Sequence, residues 1–140
     1  MDSNELAEKF ALRELVYRYA KMVDARTFDE IPALFTEDMR LSGPGYAMNG
    51  HVELRGGLEL IAQYDATLHC VHNHLVTLHG ASAEGETYCV AGHLYEKDGV
   101  ARKLDMGIHY HDAYQRGESG WRFSKRHLDV VWQQDLPLQG

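Results

Sequence analysis

The chain has 140 residues, 44% of them hydrophobic and only three of them proline, a composition typical of one globular domain and not of a disordered segment. Its formal net charge of −7 disfavours binding to nucleic acid. No apolar run reaches the roughly twenty residues that span a bilayer, and the N-terminus lacks a signal-peptide pattern. We expect a single domain over residues 1–140 in the cytoplasm, with Cys70 and Cys89 as free thiols and with no nucleic-acid or membrane partner.

The N-terminal part of the chain predicts helices. Between Asn4 and Val23 the apolar residues recur every three or four positions, which predicts one long amphipathic helix. Thr27 and Glu30 have the spacing of a capping box, so a second, short helix is predicted to follow with its own cap. A third helix is predicted over about 58–64, after a pair of glycines.

The rest of the chain predicts strands. The stretch 39–53, rich in glycine, is typical of a hairpin with short or irregular strands. Longer strands are predicted near 69–78, 86–96, 102–115 and 121–131, with turn residues between them. Helices first and antiparallel strands afterwards indicate an α+β fold in which a strongly curved sheet wraps the helices. Such a sheet tends to leave a pocket at its open end, where we expect the chemistry.

Three residues are candidates for a proton-transfer site. Asp24 lies at the predicted end of the first helix, where the helix dipole and apolar neighbours would raise its pKa; the alternative is a solvated aspartate that pairs with Arg26. Tyr19 lies in the apolar stripe, where most tyrosines are simply core residues. His69 opens a strand, and a histidine beside a carboxylate is a common acid–base pair. A strand-end histidine bonded to a backbone carbonyl is at least as common.

Two further strand residues are candidates for the same pocket. Strict alternation places Asn73 on the same face as His69, and His74 on the opposite face. His93 interrupts an otherwise apolar strand, which makes it the second candidate for the acid or base.

Arg126 is a candidate for a buried cation. Alternation along the last strand places it on the face opposite Phe123. If its face is internal, Arg126 needs an anion, a substrate oxygen or Asp24 as its partner.

Two histidine pairs raise the question of a metal. His72-x-His74 and His109-x-His111 each have the chelating spacing of same-face strand residues. However, neither HExxH nor CxxC is present, and histidines with this spacing are commonly just exposed to solvent. The chain also lacks a glycine-rich phosphate loop, a GxSxG motif and a dinucleotide fingerprint. We therefore expect no metal site and a reaction without a cofactor.

Five motifs along nearly the whole chain point to a known family. They are Tyr19-x4-Asp24, Leu34-Phe35-Thr36-Glu37-Asp38, His69-x3-Asn73, Tyr110-x-Asp112 and Gly120-Trp121-x3-Lys125-Arg126. Together they resemble the SnoaL-like proteins of the nuclear transport factor two superfamily, which also holds scytalone dehydratase, bile acid 7α-dehydratase and hexachlorocyclohexane dehydrochlorinase. The resemblance implies a cone-like α+β barrel and a homo-oligomer, either a dimer or a trimer.

The resemblance also implies an active site. Asp24 and His69 match the positions of the catalytic carboxylate and histidine in the family's lyases, and Tyr19 and His93 match further catalytic positions. The residues that we expect to contact substrate are Arg126, Asn73, Tyr110, Met106 and Ile108.

The implied activity is that of a cofactor-independent dehydratase acting on a small hydrophobic cyclic hydroxy or keto compound. The superfamily also contains isomerases, polyketide cyclases and epoxide hydrolases, and each is an alternative. A ligand-binding or assembly module without turnover is a further alternative.

Overall fold

The computed structural model describes residues 1–139, in which three helical segments pack against one six-stranded sheet. In chain order the elements are α1 (Ser3–Ala25), a 3₁₀ helix (Phe28–Leu34), β1 (Phe35–Gly43), β2 (Tyr46–Asn49), α2 (Gly50–Ile61), β3 (Ala66–His79), β4 (Ser82–Lys97), β5 (Val100–Gly117) and β6 (Gly120–Pro137). The sheet order is β2-β1-β6-β5-β4-β3, and every neighbouring pair is antiparallel except β1 with β6. The predicted α+β fold with a curved, mostly antiparallel sheet is confirmed; the sheet stays open, with β2 and β3 as its edges.

The apolar stripe of α1 forms the centre of the core, as its periodicity predicts. Asp2 begins the helix, because its Oδ1 accepts the backbone N–H of Glu5 at 2.7 Å. Tyr19 packs its ring edge-on against Phe35 and Phe123, with ring centroids 5.9 and 6.0 Å apart. Burial of each of these apolar side chains stabilises the folded state by roughly 1.5–3 kcal/mol. Within residues 1–139, no helix combines the length and the apolar character needed to cross a membrane.

The capping box predicted after α1 does not form. The hydroxyl of Thr27 donates to the carbonyl oxygen of Met22 at 3.3 Å, and it makes no cap hydrogen bond to the 3₁₀ helix. α1 ends instead at Arg26, whose positive φ of 63° gives a left-handed cap with backbone bonds back to the last turn. Thr27 therefore caps the end of α1 and does not cap the start of the next helix.

Helix α2 begins at Gly50, well before the predicted start near residue 58. The pair Gly56 and Gly57, which predicts the helix boundary, lies inside the helix. At Gly57 an added Cβ would overlap the Sδ of Met48, so this glycine lets α2 approach β2 closely. The helix presents Leu54 and Leu58, four residues apart, to the core, where both are buried.

A β-bulge in β3 changes which of its residues face the core. The register shifts between Val71 and His74, so His69, Val71 and His74 are half-buried while Asn73 is exposed. The prediction that Asn73 shares the face of His69 is wrong, because alternation with a period of two fails wherever a bulge adds a residue.

A second bulge lies in β6. Lys125 pairs with Ala113 and Phe123 pairs with Tyr114, which leaves Ser124 as the extra residue. Phe123 and Arg126 are consequently both inside, 0% and 1% exposed, so the prediction that they lie on opposite faces is wrong.

Candidate active site

Asp24 and His69 form a hydrogen-bonded pair where the end of α1 meets the start of β3. The Oδ1 of Asp24 lies 2.7 Å from the Nδ1 of His69, and its Oδ2 accepts the backbone N–H of the same residue at 2.8 Å. The hydroxyl of Thr67 donates to Oδ1 at 2.9 Å. The two side chains are only 17% and 8% exposed. These bonds fix the carboxylate on both oxygens and, through it, the orientation of the imidazole.

The protonation state of this pair follows from its contacts. Burial alone would raise the pKa of Asp24, but the hydrogen bonds from His69 and Thr67 lower it overall. The expected rise in the pKa of Asp24 is therefore wrong. An ionised carboxylate can only accept hydrogen bonds, so the Nδ1 of His69 carries the proton. In the neutral ring this leaves a lone pair on Nε2.

The alternative partner of Asp24 is engaged elsewhere. The Nη2 of Arg26 donates to the backbone carbonyl of Tyr64 at 2.7 Å, which ties the end of α1 to the segment before β3.

Thr67 is a site residue that the sequence analysis did not identify. It could have been predicted, because it lies two residues before His69 on the same strand face.

His69 lies in the wall of an apolar cavity of about 300 Å³, at the lower end of the volumes typical of small-molecule sites. Tyr19 and His93 also line it, as do Met106, Ile108 and Tyr110. The remaining lining residues were not predicted from the sequence, because they come from distant parts of the chain. They are Leu41, Tyr46, Met48, Leu54, Gly57, Leu58, Leu60, Ile61 and Leu128.

His93 is the second imidazole of the cavity. Its ring centroid lies 6.0 Å from that of His69. The Nδ1 of His93 lies 3.1 Å from the carbonyl oxygen of Leu104, and because a carbonyl only accepts, this nitrogen carries the proton. Burial lowers the pKa of His93, so the ring is neutral near pH 7 and its Nε2 is a hydrogen-bond acceptor.

Tyr19 and Tyr110 supply hydroxyl groups to the same cavity. Burial raises the pKa of Tyr19 to about 12 and raises the pKa of Tyr110 well above its ordinary value. Both phenols therefore stay protonated and can donate a hydrogen bond to a developing oxyanion.

Arg126 lies beneath these tyrosines and not in the cavity wall. Its Nε and Nη2 donate to the two carboxylate oxygens of Asp112 at 2.7 and 3.1 Å, and both side chains are at most 1% exposed. The guanidinium carbon lies 3.7 Å from the ring centroid of Tyr110 and 4.8 Å from that of Tyr19. Asp112 is the anion that the buried cation requires. This geometry places Arg126 under the two rings and outside the residues that line the cavity.

Asn73 is likewise outside the cavity, because the bulge in β3 leaves it on the exposed face.

A larger depression, of about 500 Å³, lies over the sheet and is lined by Tyr88, Val131 and Trp132 among others. It is lined by neither His69 nor His93. We therefore place the candidate active site in the smaller cavity, where the titratable groups meet.

A six-stranded curved sheet with helices packed against its inner face defines an α+β protein with the nuclear transport factor two fold. It is similar to the structure of a proposed scytalone dehydratase of Novosphingobium aromaticivorans, at 23% identity over 100% of this chain and 95% of that chain, with a TM-score of 0.89. It is also similar to a hexachlorocyclohexane dehydrochlorinase of Novosphingobium barchaimii, at 17% identity over 100% and 96% of the two chains, with a TM-score of 0.85.

The sequence itself identifies the family. The SnoaL-like domain matches residues 4–127. An uncharacterized protein of Mycobacterium tuberculosis is 22% identical over 125 residues, which cover 87% of this chain and 84% of that relative. The chain belongs to the SnoaL-like domain family.

Proposed function

We propose that the protein is a cofactor-independent lyase that removes water from a small hydrophobic cyclic hydroxy-ketone. The observation that carries the proposal is the pair of Asp24 and His69, in which an oriented imidazole lines an apolar cavity. The two structurally similar proteins named above, one a proposed dehydratase and one a dehydrochlorinase, carry names that denote eliminations, which supports the same reaction class.

The first chemical step uses His69 as a general base. Its Nε2 takes a proton from the carbon next to the substrate carbonyl, and the positive charge that forms on the ring is stabilised by Asp24 at 2.7 Å. General base catalysis of this kind contributes about 10² to 10⁴ in rate.

The negative charge that develops on the substrate carbonyl oxygen requires hydrogen-bond donors. Tyr19 and Tyr110 remain protonated and line the cavity, so we assign them this role. Removing one donor to an oxyanion typically costs about 10² to 10³ in rate. Neutral His93 does not donate from Nε2, so we assign it to accept the hydrogen of the substrate hydroxyl and to orient this leaving group.

The elimination then completes as the enolate reforms its carbonyl and the bond from carbon to the hydroxyl oxygen breaks. The proton held by His69 passes to the departing oxygen, so water leaves and the neutral imidazole is restored. The apolar lining lowers the polarity around these contacts, which strengthens them, and it favours a hydrophobic ring as substrate.

The test is a panel of cyclic hydroxy-ketones incubated with the purified protein and followed by mass spectrometry. We expect loss of one water molecule from a member of the panel. Asp24→Asn and His69→Ala should nearly abolish turnover while circular dichroism shows an intact fold. His72→Ala is the matched control, because His72 is an exposed histidine on the same strand, and it should retain activity. Full activity in both dyad variants would exclude the proposed mechanism.

The same assay separates the alternatives. An unchanged substrate mass marks an isomerase or a cyclase, and the gain of one water marks an epoxide hydrolase. Calorimetric binding without any product marks a non-catalytic binding module. The homo-oligomer of two or three copies and the cytoplasmic location stay predictions, and native mass spectrometry measures the first of them.

A further inference from the structure

The outer face of the sheet carries a cluster of histidines and carboxylates that has no part in the proposed reaction. Glu86 lies in β4, His109 and His111 in β5, and Asp129 in β6. Glu86 is paired in register with His111, and His109 with Asp129, so the four side chains occupy one patch across three strands. Tyr110, between the two histidines, is buried and lines the cavity, which places the patch on the opposite face.

The distances within this patch suit a bound ion. One ligand atom from each of Glu86, His109 and His111 lies within 4.8 Å of the other two. The Nε2 of His109 is already 2.8 Å from the Oε1 of Glu86, and the two imidazole centroids are 4.3 Å apart. Tetrahedral Zn²⁺ with bonds of about 2.0–2.2 Å holds its ligand atoms roughly 3.3–3.6 Å apart. Rotamer adjustments that move ligand atoms by about 1 Å would therefore close the three ligands around one ion.

The ligand chemistry narrows the kind of ion. Two imidazoles with one carboxylate suit zinc and similar divalent transition metals, whereas calcium and magnesium prefer oxygen ligands alone. Glu86 and His111 are about half exposed and His109 is about a quarter exposed, so a water molecule has access to a fourth position.

Asp129 completes the arrangement. Its Oδ2 lies 2.9 Å from the Nε2 of His111, and its Oδ1 lies 3.1 Å from the Nε2 of His127. A carboxylate bonded to Nε2 orients the imidazole, leaves the Nδ1 of His111 as the nitrogen that can bind the ion, and adds a second negative charge beside the site. The other histidine pair of the chain differs, because the bulge in β3 leaves His72 exposed and turns His74 inward.

We propose that Glu86, His109 and His111 bind one Zn²⁺ ion on the outer face of the sheet, with Asp129 as a positioning residue for His111. The bound ion links β4 to β5. Because it binds the folded chain and not the unfolded one, it should stabilise the folded state.

Isothermal titration of the tag-free protein with ZnCl₂ tests the site. We expect one Zn²⁺ per chain, and at least a tenfold loss of affinity in His109→Ala and in His111→Ala. Asp129→Asn should weaken binding by about tenfold, in the range measured for residues that orient a ligand. The matched control is His79→Ala, because His79 and Glu84 form a single exposed histidine–glutamate pair with their nearest atoms 3.5 Å apart. This control should bind Zn²⁺ like the wild type.

A second readout is independent of the calorimetric heat. At a Zn²⁺ concentration that saturates the wild-type site, the melting temperatures of the wild-type protein and of His79→Ala should rise by the same amount, and that of His111→Ala should rise less. Absence of binding at one ion per chain would overturn the proposal. Undiminished binding in both His109→Ala and His111→Ala, or an equal loss in His79→Ala, would overturn it as well.

Discussion

The buried ion pair beneath the cavity allows a quantitative prediction. Asp112→Asn keeps the shape of the side chain but leaves the guanidinium of Arg126 charged, in a site where both side chains are at most 1% exposed. Breaking a buried pair from one side costs about 3–5 kcal/mol. Asp112 also accepts a hydrogen bond from the hydroxyl of Thr87 at 2.8 Å. The NH₂ group of the new asparagine can only donate, so it faces another donor, either the hydroxyl of Thr87 or the guanidinium of Arg126. We expect the free energy of unfolding to fall by about 3–5 kcal/mol, which lowers the melting temperature by roughly 10–20 °C.

Urea unfolding followed by tryptophan fluorescence and circular dichroism measures this loss. The control is Asp135→Asn, which breaks the exposed pair with Arg102 and should change stability far less. A double variant that combines Asp112→Asn with Arg126→Met removes the orphaned charge and should regain part of the loss. If Asp112→Asn destabilises the protein no more than Asp135→Asn, or if the double variant is no more stable than the single one, the unpaired charge of Arg126 does not carry the predicted cost.

Three further predictions follow from local geometry. Gly56→Ala, in open space on α2, should raise the free energy of unfolding by about 0.5–1 kcal/mol. Gly57→Ala should not raise it, because the added Cβ overlaps a side chain of β2. Equal urea midpoints for the two variants would contradict this packing. A thiol reagent should label exposed Cys70 in the folded chain but Cys89 only after unfolding, because Cys89 is 2% exposed and burial raises its pKa to about 12; equal labelling rates would contradict this burial. The pKa of Asp24 is lowered by folding, so its contribution to stability is fully present above the ordinary value of 3.8 and is lost as pH falls through the folded-state pKa. Acid titrations of the free energy of unfolding should therefore be flatter in Asp24→Asn, and identical curves would contradict the hydrogen-bonded pair.

The sequence predicted those parts of the fold that depend on local periodicity. The apolar stripe of α1 recurs between Asn4 and Val23, and the observed helix over Ser3–Ala25 matches it closely. The four long strands also occur where alternation and turn residues predicted them, each a few residues longer at its ends. These elements bring the end of α1 to the start of β3, so Asp24 and His69 meet in the structure.

Features set by long-range contacts escaped prediction. The bulges in β3 and β6 interrupt alternation without any glycine or proline to mark them, so Asn73 and Arg126 were given the wrong neighbours. From the sequence, the helix dipole and the apolar neighbours of Asp24 predict a raised pKa. The hydrogen bonds that lower that pKa come from Thr67 and His69, more than forty residues away along the chain.

The ion pair of Asp112 with Arg126 leaves a partial signal in the sequence. Asp112 lies directly opposite Arg126 in the register of β5 and β6, and opposite charges on inward positions of neighbouring strands are a readable signal. Reading it requires the register, which the bulge in β6 shifts by one residue.

The central claim is that His69, oriented by Asp24, removes a proton beside a carbonyl group. Solvent deuterium uptake tests it most directly, with a small cyclic ketone that lacks the leaving hydroxyl and that calorimetry shows to bind. In D₂O near pH 7 the wild-type protein should accelerate deuterium uptake at the carbon next to the carbonyl, as measured by mass spectrometry. Asp24→Asn and His69→Ala should lose nearly all of this acceleration, while His72→Ala should retain it. Equal uptake in the wild type and in His69→Ala, or no uptake with the bound ketone, would contradict the claim.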